Sequence, residues 1–98
     1  MVALAAVSGC AKPQAPRTFT VTMADMGYQG VPPSLRTGDK ITWVNDDIFQ
    51  HTATAKDGSF DVVLVPKAQA TTVMTHPGTI DFYCRYHPGM TGRLSVAG

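Results

Sequence analysis

Cys84-Arg85-Tyr86-His87-Pro88-Gly89-Met90 places a thiol, an imidazole and a thioether in one short loop. A second imidazole, His51, lies well upstream, just after an apolar strand-like run. Two imidazoles and a thiolate in a trigonal arrangement, with a weak axial thioether, are the donor set of a mononuclear copper site that transfers single electrons. Such a geometry suits both Cu(I) and Cu(II). The thiolate gives a covalent path for the electron, and the thioether and the hydrogen bonds around the sulfur tune the potential. Cys84 and His87 are three residues apart, as are His87 and Met90, so a tight loop can aim all three at one point. Pro88 stiffens that loop and Gly89 lets it fold closely. Taken singly, each residue has a plainer explanation. His51 is then a partly buried histidine, Met90 a core methionine and Cys84 an inert buried thiol. A tetrahedral zinc site would use further Cys or His in place of Met.

The elements that must position these residues are short strands. Phe19, Val21 and Met23 alternate with Thr18, Thr20 and Thr22. Ile41-Thr42-Trp43-Val44, His51 to Lys56, Phe60 to Val65, Thr71 to Thr75, Thr79 to Tyr83 and Arg93 to Val96 follow, with Gly92 opening the last. Turns at Arg36 to Lys40, Asn45-Asp46-Asp47, Asp57-Gly58 and Pro77-Gly78 separate them, and Val31-Pro32-Pro33 breaks the chain. No stretch holds a 3.6-residue apolar period, so an all-β sandwich or barrel is expected. Parity puts Ile41 with Trp43, Ile80 with Phe82, and Leu94 with Val96 on inward faces. Cys84 continues the inward parity of Ile80 and Phe82, which places its thiol where a buried strand turns into the loop. His76, just before a turn, is expected to be exposed and is not a ligand candidate.

At 98 residues the chain makes one small domain, and at 44% hydrophobic it can bury a core. A net charge of +1 with 15% charged residues gives no nucleic-acid or polyanion surface. The apolar start is far too short to span a bilayer. Two cysteines suggest one disulfide between Cys10 and Cys84, but Cys10 precedes a Pro-rich stretch and Cys84 sits inside the ligand loop. Leu4-Ala5-Ala6-Val7-Ser8-Gly9-Cys10 looks instead like the end of a lipoprotein signal, with small residues before a cysteine that becomes lipidated. A basic start is expected before the apolar part, and Met1-Val2-Ala3 does not supply it, as in a truncated or misassigned start. An ordinary signal cleavage or a plain N-terminal tail are the other readings. Residues 1–10 are thus read as a signal segment, 11–17 as a tether marked by Pro13 and Pro16, and 18–98 as the domain. Two acyl chains at Cys10 would attach the protein stably to a membrane.

These motifs resemble the cupredoxins, the blue copper proteins, over nearly all of 18–98. Gly38 to Asn45 resembles the family's strand toward the first histidine, and Pro77 to Cys84 its approach to the cysteine. The short Cys-x-x-His-Pro-x-Met loop is most similar to that of the amicyanin branch, since plastocyanins and pseudoazurins have a longer gap before the methionine. The resemblance implies a Greek-key β-sandwich of seven to eight strands. It also implies one type 1 copper on His51, Cys84, His87 and Met90. Several family members carry Asn after the first histidine, bracing the cysteine loop. Here Thr52 stands there with a shorter reach. The resemblance further implies an electron exit at the edge of His87, with Pro88, Gly89, Pro32, Pro33, Met26 and Phe49 as candidates for an apolar partner face. For the prolines and glycine turn chemistry is the alternative, and for Met26 and Phe49 core packing.

The function expected is a monomeric, extracytoplasmic electron carrier, periplasmic or held at the outer face of the bacterial cytoplasmic membrane through Cys10. It would meet donor and acceptor proteins briefly and bind no nucleic acid. A copper-delivery protein is the second reading, but of five methionines only Met90 has ligand spacing, while Met23, Met26 and Met74 are scattered. Catalysis is not expected. The chain has three histidines, two already used, and the ligand set leaves no open position for a substrate.

Overall fold

Alternation between threonine and apolar residues makes the first strand two-faced, and the same period-two pattern recurs along the chain. The computed structural model describes residues 15–98. Among them are nine strands and no helix: β1 (Thr18–Ala24), β2 (Gly27–Gln29), β3 (Leu35–Arg36), β4 (Lys40–Asn45), β5 (His51–Ala55), β6 (Asp61–Leu64), β7 (Gln69–Val73), β8 (Gly78–Tyr83) and β9 (Thr91–Ala97). They form two sheets, ordered β2-β1-β4-β7 and β3-β9-β8-β5-β6. The pairs β1/β4 and β3/β9 are parallel and the others antiparallel. The expected strands are all present. The two additions, β2 and β3, are the shortest, too brief to show a periodicity of their own.

The inward faces predicted from parity meet between the sheets. Val21, Met23, Ile41 and Trp43 come from one sheet, and Ile80, Phe82, Leu94 and Val96 from the other; all are buried. Phe82 is the centre of an aromatic cluster, edge-on to Tyr28 at 4.7 Å and to Trp43 at 5.2 Å between ring centres. Its ring lies over Gly92, where a Cβ would come within 2.3 Å of it, so only glycine fits at the strand start. Trp43 satisfies its indole N–H on the Thr72 hydroxyl at 3.0 Å.

Strand direction sets the two ends of the sandwich. Thr18 pairs with Lys40 at one end of β1/β4, and Met23 with Asn45 at the other. Asn45, His51, Tyr83 and Thr91 are the ends of β4, β5, β8 and β9 that converge on this second end. At the first end, buried Asp39 receives the backbone N–H groups of Arg17 and Arg36, each at 2.9 Å, and the Arg17 guanidinium at 2.8 Å. The Arg17 side-chain bond chiefly, with the backbone bonds added and burial opposing, holds the Asp39 carboxyl at about 2 instead of the usual 3.8. The stabilisation is complete above about pH 4 and is lost as pH falls toward 2. Its size, discounted for the half-exposed Arg17, is about 1–2 kcal/mol. Asp39→Asn should therefore lower the unfolding free energy by about that amount at neutral pH and flatten the acid limb. Urea unfolding followed by Trp43 fluorescence at stepped pH measures both, and an acid limb unchanged in the variant would refute the assignment.

Candidate metal centre

β8 delivers Cys84 inward, as Ile80 and Phe82 before it, and the thiol is fully buried. β5 begins with His51, also fully buried. The loop after β8 returns His87, so that His51 Nδ1 lies 3.6 Å and His87 Nδ1 3.8 Å from Cys84 Sγ. The three donor atoms lie within 4.8 Å of one another. First-row bond lengths of about 2.0 Å to nitrogen and 2.3 Å to sulfur, at trigonal angles, require an S···N separation of about 3.7 Å. The observed spacing is therefore that of three ligands around one ion. The loop is closed by its own backbone. Cys84 N–H donates to Met90 carbonyl oxygen at 3.0 Å, His87 N–H to that of Cys84 at 3.2 Å, and Met90 N–H to that of His87 at 2.8 Å. Met90 is buried, and both its backbone groups take part in this closure.

Burial alone would raise the Cys84 thiol. The Thr52 N–H, donating to Sγ at 3.4 Å, and the two imidazoles outweigh it and hold the group down to about 6. A thiolate is thus the prevalent form at neutral pH. Burial opposes charge on His51, yet Asp47 and Cys84 together raise its pKa.

His51 is oriented from behind. Its Nε2–H donates to the Asp47 carboxylate at 2.9 Å, which turns Nδ1 toward the sulfur. Asp47 also receives the N–H groups of Ile48 at 2.8 Å and Met26 at 3.2 Å. Met26 and Asp25 form the β1–β2 hairpin turn, both with positive φ. Buried Asn45 holds the same loop, donating to the carbonyls of Phe49 at 2.8 Å and Leu64 at 2.9 Å and accepting from Asp47 N–H at 2.9 Å. Asn45 and Asp47 read in sequence only as loop residues. The one available signal was a carboxylate four residues before His51. Thr52 does brace the cysteine loop, despite its short side chain. Its hydroxyl accepts the Arg85 N–H at 2.8 Å.

A family model for the cupredoxin-like domain matches residues 1–96. The chain is a member of the cupredoxin family. It is 31% identical to amicyanin-alpha of Methylorubrum extorquens, across 96% of this chain and 85% of that one. It is 27% identical to amicyanin of Paracoccus denitrificans, across 80% of this chain and 64% of that one. It spans less than two thirds of that protein and of the Paracoccus versutus amicyanin, of which 62% is covered. Among solved structures, an oxidized mutant of amicyanin matches with a TM-score of 0.69 and 26% identity over 80% of each chain. A copper-containing nitrite reductase from Thermus scotoductus matches with a TM-score of 0.72 and 25% identity, over 90% of this chain but 24% of the enzyme. The β-sandwich and the arrangement of donors fit a single type 1 copper.

Around the site of this cupredoxin, Pro88, Gly89, Met26 and Phe49 are exposed and His87 is half-buried. The Phe49 ring lies 5.9 Å from that of His87 and 6.5 Å from that of His51. Ile48, 81% exposed, and Tyr86 extend the apolar surface. Both were missed; the signal for Ile48 was an apolar pair following two aspartates. Pro32 and Pro33 do not belong to this rim. β2 carries the chain away from the site end, past Thr20 at Gly30, toward Leu35 opposite Val96, and Pro32 is buried. His76 is exposed beside Asp57, away from the donor cluster. Cys10 and the rest of 1–14 lie outside the described residues.

Removing the acceptor behind His51 should loosen its ring. Asp47→Ala is expected to weaken copper binding about 10–100-fold without unfolding the chain. Competition with a chelator measures the affinity, and wild-type affinity in the variant would show that Asp47 does not orient the imidazole.

Proposed function

We propose that this cupredoxin is a single-electron carrier in which His51 Nδ1, Cys84 Sγ, His87 Nδ1 and the Met90 thioether would hold one copper. The observation that carries this reading is the placement of both Nδ1 atoms at 3.6 and 3.8 Å from a sulfur already favoured as thiolate. Copper bound there would supply one-electron chemistry between Cu(II) and Cu(I). The chain's own part is to hold the donors still and keep water away. His51, Cys84 and Met90 are buried, and the loop's backbone hydrogen bonds oppose rearrangement when the charge changes. Half-buried His87, ringed by Phe49, Pro88 and Gly89, is the edge through which an electron would leave. Cargo delivery is less well supported: Met23 and Met74 are core residues, so the scattered methionines make no exposed cluster with Met26.

The likeness to a copper nitrite reductase covers about a quarter of that enzyme. Carriage rather than catalysis fits a chain whose third histidine, His76, stands apart from the donor cluster. The partners are donor and acceptor proteins met transiently by a monomer at the His87 face. The protein works in the periplasm or at the outer face of the cytoplasmic membrane. Residues 1–10 serve as the signal segment, 11–17 as the tether and Cys10 as the lipid site. No helix among the described residues is long and apolar enough to cross a membrane.

Cu(II) added to the protein should give an intense blue or green thiolate-to-copper band at one ion per chain, absent in Cys84→Ser. A colourless wild type, or a band that survives loss of Cys84, would refute the reading. With a net charge of +1, electron self-exchange between copies should change less than about threefold between low and high salt. NMR line broadening in mixtures of the oxidised and reduced forms measures it. A steep salt dependence would show that charge, not the apolar rim, governs the encounter.

A further inference from the structure

Along β5, His51 faces inward and Thr52 and Thr54 share the opposite face. On that face a run of hydrogen bonds leads away from the ligand loop. Arg85 N–H donates to Thr52 Oγ1 at 2.8 Å, Thr52 and Thr54 hydroxyls lie 2.9 Å apart, and Thr54 Oγ1 lies 2.8 Å from Asp61 Oδ1. Chemistry fixes the sense of every bond. A backbone N–H can only donate, and a carboxylate can only accept. Thr54 therefore gives its one proton to Asp61 and must accept from Thr52, whose own oxygen accepts from Arg85. All three bonds point the same way and end on a negative charge, the arrangement in which each strengthens the next.

The run closes on itself. The Arg85 guanidinium reaches the same carboxylate, Nε to Oδ1 at 3.4 Å and Nη2 to Oδ2 at 3.2 Å. As an exposed ion pair this would count for little. Here it ties the head of the residue whose backbone N–H begins the run. Asp61 is the cross-strand partner of Thr54, so sheet register sets its place. Thr52 holds two consecutive residues of the loop: Cys84 through its backbone N–H and Arg85 through its hydroxyl.

We propose that Thr54 and Asp61 are positioning residues for the copper site, acting through Thr52 and the Arg85 backbone to hold the Cys84 sulfur at its hydrogen-bonded distance from β5. This rests on the copper reading above. Loss of the outer anchor frees the Thr52 hydroxyl, slackens Arg85 and weakens the Thr52 N–H bond to sulfur. A thiolate with a weaker hydrogen bond donates more strongly to the metal and favours Cu(II), so the potential falls.

The test uses Thr54→Val, which removes the hydroxyl at similar volume, Asp61→Asn, which keeps an acceptor without the charge, and Thr54→Ser, which keeps the hydroxyl. In the metal-free protein, Thr54→Val should speed amide hydrogen exchange at Arg85 about tenfold, Asp61→Asn less so, and Thr54→Ser not at all. In the copper-loaded protein at fixed ambient potential, Thr54→Val should raise the Cu(II)/Cu(I) ratio about threefold, equivalent to about 30 mV. The thiolate-to-copper band should shift with it, and Thr54→Ser should restore both. Unchanged exchange in Thr54→Val, or faster exchange with an unchanged ratio, would overturn the proposal. A colourless wild-type protein would instead overturn the copper reading, while the metal-free exchange still decides whether the brace exists.

Discussion

A buried thiolate is unfavourable unless donors surround it, and that requirement organises the site end of this molecule. Cys84 is 0% exposed, yet its ionised form is favoured because Thr52 N–H and two imidazole nitrogens converge on the sulfur. Each of those donors depends on a different part of the chain. Thr52 and His51 start β5, and His87 returns from the loop that follows β8. The sulfur is thus the point at which two neighbouring strands and their loop must agree. The tight backbone closure of 84–90 and the inward parity of β8 are conditions for meeting it.

The histidine on β5 needs equal control, and this comes from the crossing between sheets. Asn45 ends β4 in one sheet, and its amide reaches Leu64 on β6 in the other. The intervening loop is pinned at Phe49 and Asp47, and Asp47 turns the pinned loop into an acceptor for His51. Asn45 makes all its bonds to backbone groups, so this polar residue is buried without an unsatisfied amide. The same loop then exposes Ile48 and Phe49 beside His87, so one segment both fixes a ligand and forms part of the surface.

What the sequence made legible follows from the range of each signal. Alternation over four or more residues identified the long strands and the inward residues Ile41, Trp43, Ile80, Phe82, Leu94 and Val96. Spacing within one loop brought Cys84, His87 and Met90 together. β2 and β3 escaped because two or three residues carry no period; they exist because β1 and β9 offer them an edge. Pro32 and Pro33 were misplaced because a break in the chain says nothing of which end it lies at. Thr52 could be named as the brace position, but not how a short hydroxyl manages it. The answer lies in Asp61, whose neighbour Thr54 is set by strand register rather than by sequence proximity.

The direction of β1 has a mechanical meaning. Arg17, clamped by Asp39, marks where the chain joins the sandwich, and β1 runs from there to the level of Asn45. Seven residues of strand put that joint about 20 Å from the copper end. On the function proposed above, the attachment of the chain and the exit of the electron lie at opposite poles of the sandwich. On that reading a partner docked at the His87 edge would sit about 20 Å from the joint and leave the Arg17 clamp uncovered.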